Sequence, residues 1–241
     1  MTTIFQVGHL ERLPLGTSYP AVVAHVGRLL AKLPSGTELV IDFTGVGRPV
    51  FEMFVYSGVM PLGVVITPGV TETRDGFVCS VPKLTLVSRL QALLHQACLK
   101  IQRELSEAET LVRELQDFRV EYTASGHLTF NARSGKHDDL VLALAIAIWR
   151  AHGGGMPSYG HFEHTRRLAI AAGLTVPPSY IMGLDLGQSR DPSAIAIVRR
   201  IEIGTGELAT PPKAFIAEPP LSPPQPGSVE WQQQQKAAFR G

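Results

Sequence analysis

Leu140 to Trp149 carry no polar side chain, and two adjacent carboxylates, Asp138 and Asp139, stand directly before them. A helix that is apolar all round has to be buried on most of its sides. Two acids at its mouth are costly to bury unless something cationic meets them. One Asp suffices as an N-cap, where its side chain accepts a backbone N–H and its charge complements the helix dipole. The second Asp asks for another partner, and a divalent metal is the obvious candidate. The apolar run is about half of the roughly 20 residues that cross a bilayer. It therefore predicts a core helix, and no membrane partner is expected.

The rest of the composition fits that reading. A hydrophobic share of 44% with 18% charged residues describes a globular chain. The formal net charge of +1 neither supports nor excludes nucleic acid, because a local basic groove is invisible in a total. Cys79 and Cys98 form no disulfide framework and no metal-ligand spacing. The opening Met-Thr-Thr-Ile-Phe-Gln lacks the basic and apolar regions of a signal peptide. A reducing cytoplasm is the expected setting.

Along the chain, Ile4–Leu10 reads as a strand and Ala21–Leu33 as an amphipathic helix stopped by Pro34-Ser-Gly36. Glu38–Phe43 is a compact apolar strand, Val50–Ser57 a helix and Gly63–Thr67 a buried strand. Thr71–Val81 reads as a hairpin or loop, Leu84–Gln102 as one long helix and Ser106–Leu115 as a more polar one. Arg119–Thr123 and His127–Asn131 alternate around Ser125-Gly126 as a β-hairpin. Gly153-Gly-Gly155 ends the apolar helix, and His161–Ala172 is predicted helical. Tyr180–Gly187 and Ser193–Arg200 read as two strands. The alternation of strands and helices predicts an α/β sheet with helices packed on it. The expected organisation is a main core over 1–152, a connection with a short helix over 153–179, a hairpin over 180–203 that completes the same core, and a Pro/Gln-rich, poorly ordered tail over 204–241.

Two more acids join the pair. Asp42 ends an apolar strand, and sites in open α/β sheets gather beyond the carboxyl ends of strands; the bland alternative is a turn-forming Asp before Thr44-Gly45. Asp185 reads as lying inside an apolar strand, between Leu184 and Leu186, with Gly183 and Gly187 leaving open space on its own face. A carboxylate facing a gap fits a metal ligand better than a structural, hydrogen-bonded Asp. Three such stations suit hard cations with oxygen ligands, and two ions about 4 Å apart activate water against a phosphodiester. His137 is a weaker candidate, and His161 with His164 lacks the further ligands of a zinc site.

Three segments carry a family resemblance: Gly183-Leu-Asp-Leu-Gly-Gln-Ser-Arg-Asp-Pro-Ser193, Leu39-Val-Ile-Asp-Phe-Thr-Gly-Val-Gly-Arg-Pro-Val50 and Gly135-Lys-His-Asp-Asp-Leu-Val-Leu-Ala143. Together they resemble the signature segments of the nuclease domain of phage terminase large subunits, and Pro82–Ser88 and Leu10–Thr17 add weaker likeness. The resemblance implies an RNase H-like mixed sheet flanked by helices, in which Asp185 is the first-strand ligand, Asp42 the middle one, and Asp138 or Asp139 the ligand from the last helix. It implies two Mg2+ or Mn2+ ions and metal-dependent endonuclease cleavage of double-stranded DNA during genome packaging. The partners it implies are that DNA and a portal, small terminase subunit or separate packaging ATPase, in the cytoplasm of a bacterial host. Arg74, Lys83 and Arg89 are the candidate phosphate contacts, with solvated surface charge as their plain alternative.

The sequence departs from the family in two ways. No ATPase half is recognisable, since Gly135-Lys136 lacks the leading glycine and the Ser/Thr of a P-loop. The segment with the first-strand Asp also comes last, so the chain reads as a circular permutation whose hairpin folds back beside Ile4–Leu10. Three alternatives stay open at this level. Gly183-Leu-Asp-Leu-Gly187 also resembles a phosphate loop of actin-like or sugar-kinase-like ATPases, a Holliday-junction resolvase would use similar carboxylates, and an inactive prophage remnant would bind DNA or packaging proteins without cutting.

Overall fold

The computed structural model describes residues 2–122, 128–132, 138–155, 179–187 and 191–203, with backbone alone for 118–122, 128–132 and 203. The elements in order are β1 (Thr2–Arg12), α1 (Tyr19–Lys32), β2 (Glu38–Asp42), α2 (Gly47–Tyr56), β3 (Leu62–Thr67), β4 (Thr73–Asp75) and β5 (Val78–Pro82). They continue with α3 (Lys83–His95), β6 (Leu99–Ile101), α4 (Ala108–Asp117), β7 (Phe118–Tyr122), β8 (Leu128–Ala132), α5 (Asp139–Ala151), β9 (Ser179–Asp185) and β10 (Ala194–Ile203). Eight strands form one mixed sheet in the order β4-β5-β3-β2-β9-β10-β1-β6, and β7 pairs with β8 apart from it. Strands β9, β2, β3 and β5 run parallel, while β10 is antiparallel to both β9 and β1. The result is a mixed sheet flanked by helices, the α/β class expected from the alternation of strands and helices.

Side-chain alternation explains why helices cover both faces. In β10, Ala194, Ala196 and Val198 belong to the apolar layer under α3, α4 and α5, whereas Ile195 and Ile197 belong to the layer under α1 and α2. Strand residues of period two point to opposite faces, so a strand apolar throughout needs cover on both. The alanines and Gly183 lie on the α5 side, where a small surface lets the helix approach closely. Every residue from Asp139 to Trp149 except Leu142 is buried in α5, which its uniform apolarity demands.

Three expectations need correction. The helix predicted over Leu84–Gln102 stops at His95, because Ala97 turns left-handed at φ 53°. The Cys98 N–H then bonds the Leu93 carbonyl and the Ala97 N–H that of Leu94, the paired bonds of a Schellman ending. The apolar residues that extended the helical stripe instead form β6, with Leu99 opposite Phe5 of β1. Asp185 closes β9 rather than lying inside it. Its flanking glycines leave no gap: a Cβ on Gly183 would stand 2.0 Å from the Ala143 carbonyl oxygen, and one on Gly187 2.1 Å from that of Asp191. The Ser125-Gly126 turn, the helix predicted over 161–172 and the tail from 204 lie outside the described residues.

Candidate active site

The register of the sheet brings the first two acids together. Ile41 of β2 is paired with Leu184 of the parallel β9, so the next residue on each strand, Asp42 and Asp185, stands at the same level. Their side chains lie in hydrogen-bonding contact. Asp42 also accepts the Thr44 N–H at 2.8 Å through Oδ1, the local turn its sequence context suggested. Asp42 therefore forms the turn and also faces the other acid.

Helix α5 supplies the next two. Gly183 packs against Ala143 and Ala147, and Asp185 is two residues further along the same face of β9, about 7 Å. Four residues back along α5 from Ala143, about 6 Å, is Asp139. The antiparallel helix thus sets its first turn level with the end of the strand. Burial pushes the Asp185 carboxyl well above the usual carboxylate range, and the negative charges of Asp42, Asp139 and Asp138 push it the same way. Burial raises Asp42 as well, with the Thr44 hydroxyl and N–H and the Lys83 charge pulling back. These four carboxylates form one electrostatic cluster.

Two cations reach into it. The Lys83 ammonium, at the start of α3, lies 3.2 Å from Asp138 Oδ2. Arg12, the last residue of β1, contacts Asp139 Oδ2 at 3.0 Å and Glu114 Oε1 at 2.6 Å. Glu114 of α4 accepts the Leu140 and Val141 N–H groups at 3.0 and 3.1 Å through Oε2. Burial pushes its carboxyl up to about 7, against the pull of Arg12 and of those two donors. The other sequence-selected cations lie elsewhere. Arg89 reaches the Trp149 carbonyl and Glu72, ten residues or about 15 Å along α5 from Asp139. Arg74 lines a groove with Glu38 and Leu62 at the amino ends of β2 and β3. Of the three candidate phosphate contacts, only Lys83 is at the acids. His137, His161, His164 and Gly135-Lys136 lie outside the described residues.

The donor set is all oxygen and anionic, the chemistry that suits hard divalent cations such as Mg2+ and Mn2+. Asp42, Asp185 and Asp138 or Asp139 are the groups able to hold them. Among the described residues no three His, Cys, Asp or Glu side chains are arranged as a ready coordination shell. Asp138 is turned to Lys83 and Asp139 to Arg12, each through Oδ2.

Arg12 and Glu114 went unrecognised in the sequence. Arg12 falls at the end of a strand, within the Leu10–Thr17 segment noted for family likeness. Glu114 caps a helix that begins 25 positions later, and no spacing rule connects the two.

No protein-family model and no curated protein sequence matches the chain. Among solved structures, the large terminase nuclease from thermophilic phage G20c with bound cobalt is similar at 22% identity and a TM-score of 0.42, over 61% of this chain and 80% of that one. Among the described residues no helix is long and apolar enough to cross a membrane.

Proposed function

We propose that the chain is a metal-dependent endonuclease acting on double-stranded DNA, like the nuclease of phage packaging terminases, with Asp42, Asp185, Asp138 and Asp139 as its acidic centre. The observation that carries this reading is the convergence of the four carboxylates at the carboxyl ends of two neighbouring central strands and the start of a buried helix. Carboxylates crowded in this way repel one another, and a divalent cation offsets that repulsion. When bound, two Mg2+ or Mn2+ ions supply Lewis-acid stabilisation of the phosphodiester and activation of water. The chain's own residues hold and orient the acids. β2 and β9 fix Asp42 and Asp185 by register, α5 fixes the aspartate pair, and Lys83 offers a positive charge beside the site where a phosphate has to approach.

The strand bearing Asp185 stands in the middle of the sheet, between β2 and β10, although it comes late in the chain. That placement supports a circular permutation in which residues 179–203 complete the core begun by 2–155.

The test is cleavage of plasmid DNA with Mg2+ or Mn2+ by the wild type and by Asp42→Ala, Asp138→Ala, Asp139→Ala and Asp185→Ala. Losses on the order of 100-fold or more are expected for Asp42→Ala and Asp185→Ala, since several kcal/mol of transition-state stabilisation rests on the ions. Metal-independent cutting, or cutting indifferent to every one of these changes, would sink the proposal. ATP turnover without DNA cleavage would put an actin-like ATPase in its place.

A further inference from the structure

We propose that Glu114 and Arg12 are positioning residues for the acidic centre: Glu114 caps α5 in place of its own aspartates, and Arg12 fixes Asp139 by holding it and Glu114 together. The inference rests on reading the aspartates as metal ligands. Its starting point is an unusual division of labour at the start of α5. Asp138 occupies the N-cap position, yet its side chain makes no cap hydrogen bond. The two N–H groups that a cap would satisfy, those of Leu140 and Val141, are taken instead by Oε2 of Glu114 from a different helix.

This matters because the two duties compete for the orientation of one short side chain. A capping aspartate folds its carboxylate back over the first turn of its own helix to accept the N2 or N3 N–H. A ligand in this site has to project toward Asp185 and Asp42. With Glu114 as the cap, the backbone donors of α5 are satisfied without drawing on Asp138 or Asp139. Both aspartates then belong to the electrostatic environment of Asp185.

Arg12 completes the device. One of its terminal nitrogens, Nη2, bridges Glu114 Oε1 and Asp139 Oδ2, and the side chains of the two acids are 6% and 8% exposed. Two acids and one guanidinium from α4, α5 and β1 are thereby fixed relative to each other, so Asp139 cannot turn independently of the sheet. Groups that orient metal-binding carboxylates in this way commonly govern affinity by 10- to 100-fold.

The test is Mn2+ binding to the full chain, measured by calorimetry and by the electron paramagnetic resonance of free Mn2+. The proteins are the wild type, Asp185→Ala, Glu114→Gln, Arg12→Gln and Arg12→Lys, with circular dichroism confirming that each is folded at the working temperature. Glu114→Gln keeps one acceptor oxygen for the helix N–H groups and replaces the carboxylate facing Arg12 with a neutral amide, so it guards against a variant lost to misfolding. The expected result is Mn2+ binding weakened about 10- to 100-fold in Glu114→Gln and Arg12→Gln. Arg12→Lys should recover part of it, because an ammonium supplies the charge without the planar fork. A purely structural cap would lower the thermal midpoint and leave Mn2+ affinity at the wild-type value, and that outcome overturns the proposal while the metal reading stands. Wild type without Mn2+ binding, or Asp185→Ala binding as tightly as wild type, overturns the metal reading and this proposal together.

Discussion

Oε2 of Glu11 lies 2.8 Å from His25 Nε2 and 3.1 Å from His9 Nε2, with Glu11 and His25 both buried between β1 and α1. Arg28 lies 3.2 Å from His25 Nδ1. Burial alone would raise the Glu11 carboxyl, but the hydrogen bonds and charges of His25 and His9 outweigh it and bring it down to about 2 from an ordinary 4.5. A carboxyl depressed on folding stabilises the native state above its unfolded value, and this contribution is lost as pH falls through the folded one. Stability should therefore decline between about 4.5 and 2 in the wild type. In Glu11→Gln that decline should be shallower, from a starting stability lower by about 1.5–3 kcal/mol at neutral pH. Urea midpoints across the acid range check this, and parallel curves for the two proteins would refute it. The four aspartates were legible in the sequence because Asp42 and Asp185 interrupt apolar runs and Asp138 and Asp139 stand directly before one. The residues that manage them, Arg12 and Glu114, look like ordinary surface charges until the fold brings β1, α4 and α5 together.

Helix α5 and strand β9 form the contact on which the site's geometry depends, and it is made by removing side chains rather than adding them. Gly183 meets Ala143 and Ala147, and the Ala194 and Ala196 face of β10 lies in the same layer. Gly183→Ala would place a methyl against the Ala143 backbone, which a rotamer change cannot relieve, forcing α5 outward. Overpacking in a well-packed core costs about 1–3 kcal/mol, which in a protein of this size lowers the thermal midpoint by several degrees. Because the displaced helix carries Asp138 and Asp139, metal affinity should weaken in the same variant. A normal midpoint in Gly183→Ala would show that α5 does not pack as closely as described. Apolar periodicity located these elements well, since both are buried and regular. It overran at α3, where Ala97 and Ile101 continue a plausible helical stripe. Sequence periodicity alone could not show that Ala97 adopts a left-handed conformation or that the edge of β1 offers β6 a partner.

At the scale of the molecule, chain order and sheet order disagree. β9 and β10 fill the space between β2 and β1, and residues from both strands contribute to the apolar layers on the two faces. The sequence suggested this return, and a place for the hairpin beside Ile4–Leu10, through the late position of the Asp185 segment, whereas the pairing of β9 with β2 follows only from the register. That register makes a strong demand: Ile203 at the end of β10 is paired directly with Thr2 at the start of β1. Neighbouring antiparallel strand ends are what a two-residue turn such as Asn-Gly connects. A rearranged chain running 179–203, Asn-Gly, then 2–155 should therefore fold to the same sheet without 156–178 or 204–241. Short hairpin closure costs little entropy. The thermal midpoint is expected within about 5 °C of the original, where roughly 2–4 °C corresponds to 1 kcal/mol at this size. Mn2+ affinity should be kept as well, because all four aspartates, Arg12, Lys83 and Glu114 lie inside the retained segments. A rearranged chain that stays unfolded would mean that 156–178 or 204–241 contributes to the core. One that folds but binds Mn2+ more weakly would place a contributor to the site in one of those two segments.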